Sequence, residues 1–228
     1  MKNIIKIFSI FIIVSCKKEQ KQPISIKTDL DNLFKIDNYQ NVIKKKINDS
    51  VLIFEGKNER FSIKGQYNFV NNYKTGCWES YDNISKEKYL NVEFFKEDDK
   101  MKEFNNQIIF YKNNNVNLQS SKFYTKKYNP DNRVILYNFY CSKTVGSNYS
   151  AVVNIGIISG ERPLLYPKDF ECEKIADGRY QYSLDLSKYT NHSDLKIVGL
   201  FSEYSTDKKK NTLGIDQIFI SDTIQLKQ

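Results

Sequence analysis

From about residue 50 to the C-terminus the chain is a succession of short runs rich in Ile, Val, Phe and Tyr, each broken by Asn, Asp, Lys or Gly, with no long helical pattern between them. Apolar residues at every second position match the two-residue period of a half-buried strand, and a helix would need them three and four apart. In RYQYSLDLS, residues 179–187, Tyr180, Tyr182, Leu184 and Leu186 share one face, while Arg179, Gln181, Ser183 and Asp185 take the other. The Asp177-Gly178 pair just before it is a hairpin-turn signal. Further runs put Ile135, Tyr137, Phe139 and Cys141 on one face, and Ala151, Val153, Ile155 and Ile157 on another. LKIVGLFSEY and GIDQIFISDTIQL add two more strands. Together they predict a β-sandwich over residues 125–228, a length that can bury its own core.

Ahead of this section, KGQYNFVNNYKTGCWESYDNISKEKYLNVEFF (residues 64–95) has a different grammar. Gly65, Tyr67 and Phe69 lead into a turn at Asn71 and Asn72, and Gly76, Trp78 and Tyr81 lead into Asp82-Asn83. A second, looser copy follows over 105–124, where Phe110 and Tyr111 run into an asparagine turn. This stretch resembles the MORN-type hairpin repeats of bacterial exported proteins. The resemblance implies hairpins whose aromatic side chains stack on the next unit, with Gly and Asn taking the turn conformations that other residues resist. The fold class expected is therefore all-β: an antiparallel hairpin-repeat sheet over 50–124 followed by the sandwich. Trp78 reads first as a packing residue, with a sugar-stacking platform as the functional alternative.

The N-terminus sets the compartment. Lys2 and Lys6 precede the apolar core Ile7 to Val14, which has the form of a secretory signal and is shorter than the roughly 20 apolar residues of a spanning helix. Ile13-Val14-Ser15-Cys16 resembles the lipobox of bacterial lipoproteins. The resemblance implies cleavage of residues 1–15 and acylation of Cys16, which makes membrane lipid the first partner. It also implies outer-membrane sorting, since Lys17 stands where an aspartate would retain the protein in the inner membrane. The periplasmic and cell-surface sides are both open. Residues 16–49, polar at first and containing Pro23, read as tether and linker, with a short helix in DLDNLFKIDNYQNVIKKKI as a weaker option.

Cleavage takes the formal charge from +8 to +6 (33 Lys and Arg against 27 Asp and Glu). The lysines are scattered and no arginine cluster or recognition helix occurs, so anionic lipid heads explain the excess better than nucleic acid. The runs Lys44-Lys45-Lys46 and Lys208-Lys209-Lys210 read as solvated faces or turns. Cys77, Cys141 and Cys172 remain for an oxidising compartment; Cys141 and Cys172 are the candidate disulfide pair, a bridge that would stabilise by about 3–4 kcal/mol given suitable geometry. The other reading makes both small buried hydrophobes.

Most chemistries drop out. His192 is the one histidine, which removes the HExxH zinc motif, and its neighbours Ser193 and Asp194 are not a triad, because a triad is assembled from separate elements. No CxxC pair, nucleotide-cradling glycine loop or calcium loop occurs, so no metal or cofactor is expected. Glycoside hydrolysis needs only two carboxylates across a cleft, and Glu93, Asp185, Glu203 and Asp216 are all candidates that sequence alone does not rank. The leading expectation is a non-enzymatic binding or scaffolding lipoprotein with an envelope protein or glycan as partner. A glycan-directed hydrolase and an immunity-type protective lipoprotein are the alternatives.

Overall fold

The structure, a computed structural model, describes residues 26–96, 103–142, 149–207 and 212–226. The chain divides into two compact units, residues 1–35 and 36–228. In the first lies α1 (Ile26–Leu33), a short helix in the stretch that the sequence reads as tether.

The second unit opens on a 3-10 turn (Ile36–Asn38) and then becomes almost wholly antiparallel β-structure. Seven strands pair in chain order: β1 (Ile43–Lys46), β2 (Val51–Lys57), β3 (Phe61–Asn68), β4 (Tyr73–Asp82), β5 (Lys88–Phe95), β6 (Phe104–Lys112) and β7 (Asn115–Val116). The sheet thus begins at Ile43, earlier than the expected residue 50. β1 escapes a period-two search because it is an edge strand, exposed on every residue, and has no buried face to write into the sequence.

One device recurs at the turns. The side-chain carbonyls of Asn48, Asn58 and Asn68 each accept two backbone N–H groups from the residues just ahead, and the Asp82 carboxylate does the same for Ile84 and Ser85. These side chains satisfy the donors that a reversing chain leaves unpaired. Between β6 and β7, Asn113 and Asn114 both take positive φ (52° and 58°), as a tight two-residue hairpin requires.

The buried face of this sheet carries Phe54, Ile63, Trp78, Leu90, Val92 and Phe94. Trp78 lies over Gly65 of the adjacent strand, where an added Cβ would come within 2.2 Å of the indole. A glycine is required there so that the ring can sit flat on the backbone. Phe54 stacks on the indole at 5.8 Å and Phe94 meets its edge at 6.1 Å.

The remaining strands are β8 (Phe123–Asn129), β9 (Val134–Tyr140), β10 (Tyr149–Ser159), β11 (Arg162–Glu171), β12 (Glu173–Ala176), β13 (Arg179–Asp185), β14 (Asp194–Asp207) and β15 (Thr212–Gln225). They form two four-stranded sheets, ordered β11-β10-β14-β15 and β12-β13-β9-β8. The alternating apolar faces expected from the sequence fill the core between them: Ile135, Tyr137, Phe139 and Cys141 from one sheet meet Val153, Ile155, Ile197 and Phe201 from the other. Phe139 and Phe201 stack across the layers at 4.1 Å. Asp177-Gly178 forms the β12–β13 turn; Gly178 has φ +67°, and its carbonyl accepts from the Cys141 N–H at 2.8 Å.

The two parts are joined at β6 and β15. Ile108 bridges Lys122. The Asn106 side-chain amide takes the place of a missing strand on the open edge of β15, donating to the Phe219 carbonyl (3.0 Å) and accepting from its N–H (2.7 Å). The Phe219 ring lies between Phe95 and Phe104, at 5.4 and 5.2 Å.

Candidate functional site

Two carboxylates lie in the sandwich interior, and in each case a tyrosine from the opposite sheet donates to them. Glu203 on β14 follows Phe201 on the inward face and is 2% exposed. The Tyr180 hydroxyl reaches it from β13 at 2.8 Å, and the Cys141 thiol also hydrogen-bonds to it. Asp216 on β15 stands directly opposite Glu203 in the ladder, so the two carboxylates share one face. Burial raises the Glu203 carboxyl above the usual carboxylate range and the facing Asp216 adds to the rise, against the two hydrogen bonds.

Beside this pair, burial pushes the Cys141 thiol up, and the charges of Glu203 and Asp216 push it further. Burial also pushes the Lys122 ammonium down, although Asp216 partly offsets it. Lys122 donates to the Gln217 carbonyl at 3.1 Å on β15. A recess of about 320 Å³, lined by Leu118, Gln119, Cys141 and the turn from Ala176 to Arg179, opens next to Cys141. A reactive cysteine needs a lowered pKa and access. Cys141, though it lines the recess, is 2% exposed and its thiol is raised rather than lowered, so it is a packing residue.

Asp222 on β15 is the second interior carboxylate. It forms an ion pair with Lys126 and accepts from the hydroxyls of Tyr137 (3.1 Å) and Tyr124 (3.3 Å). Its lone pairs are thus spent on the opposite sheet, and a group so engaged holds layers together. Both tyrosine hydroxyls are pushed up, by burial first and by Asp222 second.

The residues singled out from the sequence fall as follows. Cys16 lies outside the described residues, as do Lys208-Lys209-Lys210. Trp78 is fully buried, and its indole N–H donates to the Gln66 carbonyl at 2.9 Å, so it has no free face on which a sugar could stack. Cys141 and Cys172 are free thiols. Cys141 follows β9 in one sheet and Cys172 joins β11 to β12, where its N–H binds the Ala151 carbonyl at 3.0 Å; the two do not stand on paired strands. Cys77 is a free, exposed thiol raised by partial burial and by Glu93 and Glu79.

His192 shares a hydrogen bond with Ser159 at 3.0 Å. Glu93 accepts from the amides of Asn106 and Gln107, both at 2.8 Å, and Asp185 accepts from the Ser187 N–H at 2.8 Å. Of the four candidate carboxylates, only Glu203 and Asp216 are brought together.

Lys122, Asp222 and Asn106 escaped the sequence reading. For Asp222 a signal existed: in GIDQIFISDTIQL it continues the inward series Ile218, Ile220, and an acid in step with a buried face must find a partner inside. Glu203, two residues after Phe201, carries the same mark.

Among the described residues no group of three or more His, Cys, Asp or Glu side chains could hold a metal ion, and no helix is long and apolar enough to cross a membrane. Comparison with protein-family models, curated proteins and solved structures finds no match.

Proposed function

We propose that the chain is an outer-membrane lipoprotein, anchored through acylated Cys16, whose β-structure acts as a non-enzymatic binding or scaffolding module. The observation that carries the non-enzymatic part is the engagement of the interior polar groups. Glu203 and Asp222 are each hydrogen-bonded by a tyrosine of the facing sheet, Trp78 is enclosed, and the Cys141 thiol is held protonated. What remains to meet a partner is the outer surface of the strands. The lipobox likeness at Ile13-Val14-Ser15-Cys16 supports the anchor. Fractionation of cells carrying Cys16→Ala tests it: the variant should leave the membrane fraction, and its retention there would sink the anchored reading.

One observation favours a second reading, a glycan-directed hydrolase. Glu203 and Asp216 oppose each other across a strand pair, with Cβ atoms expected about 5 Å apart, a spacing within reach of a retaining carboxylate pair. Against it, Glu203 is 2% exposed. Turnover of envelope glycan that disappears in both Glu203→Gln and Asp216→Asn would favour the hydrolase.

A further inference from the structure

We propose that the open edge of β1 is a docking site for an acidic, extended segment of a partner protein, which adds to the seven-stranded sheet as a further strand. The inference rests on the binding-module part of the function proposed above and is independent of the lipid anchor.

β1 is the first strand of its sheet and, among the described residues, pairs on one side only, with β2. The Ile47 N–H donates to the Val51 carbonyl at 2.9 Å. By the alternation of an antiparallel ladder, the backbone groups of Ile43 and Lys45 then turn toward β2, and those of Lys44 and Lys46 turn outward. These outward N–H and C=O groups are what strand addition requires. The opposite end of the sheet offers no comparable edge: β7 is two residues long, and β6 continues into the bridge with Lys122.

The side chains specify the partner. Ile43-Lys44-Lys45-Lys46-Ile47 reads the same in both directions, so a second copy laid antiparallel on this edge would set lysine against lysine, which is repulsive. A segment with three consecutive acids would set opposite charges across every one of these pairs. Among the described residues Lys44 and Lys45 have no ion pair, and Lys46 meets only Asp49, at 3.0 Å with both side chains exposed, a contact readily exchanged. Ile43 and Ile47 are 64% and 49% exposed and share the face of Lys45, so apolar residues flanking the acids would cover them. Beyond the start of β1, a recess of about 600 Å³ lined by Gln40, Asn41, Lys57, Asn58, Glu59 and Arg60 extends the basic strip.

An anionic membrane fits this geometry less well. Lys44 and Lys46 project on the face of Phe54, and Lys45 projects on the other, so a flat surface meets only part of the charge at once. An incoming strand alternates its own side chains in the same way and meets all three.

The test uses the full chain in detergent and a labelled peptide, Thr-Val-Glu-Glu-Glu-Val-Thr, alongside the same peptide N-methylated at its glutamates and vesicles of phosphatidylglycerol. Methylation keeps the charge and removes the backbone donors. Saturable binding of the parent peptide is expected, weakened by about tenfold or more on methylation and likewise in the Lys44→Glu, Lys45→Glu, Lys46→Glu triple variant. A Lys127→Glu, Lys188→Glu, Lys196→Glu triple variant, the same charge change placed on exposed lysines of the sandwich, should bind as the parent does, and far-UV circular dichroism should show both variants folded. Equal affinity for the two peptides, no binding of either, or binding to the vesicles alone would overturn strand addition. None of these results touches the Cys16→Ala fractionation, which judges the anchor separately.

Discussion

Truncating Trp78 to alanine removes the largest fully buried side chain of the meander sheet and leaves space bounded by Phe54, Gly65 and Phe94. Loss of a buried Trp or Phe typically costs about 3–5 kcal/mol in transfer and cavity terms together. A further contribution of about 1 kcal/mol comes from the Gln66 carbonyl, which loses the indole N–H it accepts at 2.9 Å. Little collapse is available to soften this, because the space is walled by strand backbone at Gly65 and by rings held on neighbouring strands. Against a total stability of about 5–15 kcal/mol, such a loss is a large fraction. In a chain of this size the combined loss of about 4–6 kcal/mol should lower Tm by roughly 8–24 °C. Urea or thermal unfolding followed by circular dichroism reads the effect, and Trp78→Phe, which keeps a ring and drops only the donor and part of the volume, should fall between wild type and alanine. A midpoint unchanged in Trp78→Ala would refute the packing argument and return weight to a ligand-facing tryptophan.

Glu203→Gln tests the raised carboxyl. Below the ordinary glutamate value near 4.5 the group is neutral folded and unfolded, and its contribution is whole; as pH rises through the raised folded value, the protein must ionise a buried group and stability is lost. The glutamine keeps an acceptor for Tyr180 without the charge, so the wild-type urea midpoint should fall relative to the variant as pH rises from the ordinary glutamate value through the raised folded one, and parallel curves would count against the assignment. Asn106→Ala should cost about 1–3 kcal/mol by orphaning the backbone of Phe219, and hydrogen exchange at that amide should quicken; protection equal to wild type would show that the edge of β15 is closed by something else.

The sequence by itself determined which side of each strand is buried. Tyr180, Leu184 and Leu186, or Ile135, Tyr137 and Phe139, write a two-residue period that needs no knowledge of the partner strand, and Asn and Asp at positions such as Asn58 and Asp82 mark turns through hydrogen bonds to their own next neighbours. Gly65 and Trp78 belong in part to this local grammar, as a small residue and a large one in one hairpin. Only the tertiary structure decided the rest. In the order β11-β10-β14-β15 the neighbours β10 and β14 are distant in sequence; the register of the β14–β15 hairpin sets Glu203 against Asp216, and the packing of the layers leaves Cys141 and Cys172 as free thiols and brings Asn106 to Phe219. β1 was hidden for the opposite reason: with no buried face its lysines carry no period, and only its place at the rim of a sheet distinguishes an edge from a tether. Burial parity is a property of one strand against solvent, and a chain can state it residue by residue. Which strands become neighbours is settled by the free energy of the whole core, and no single segment contains that information.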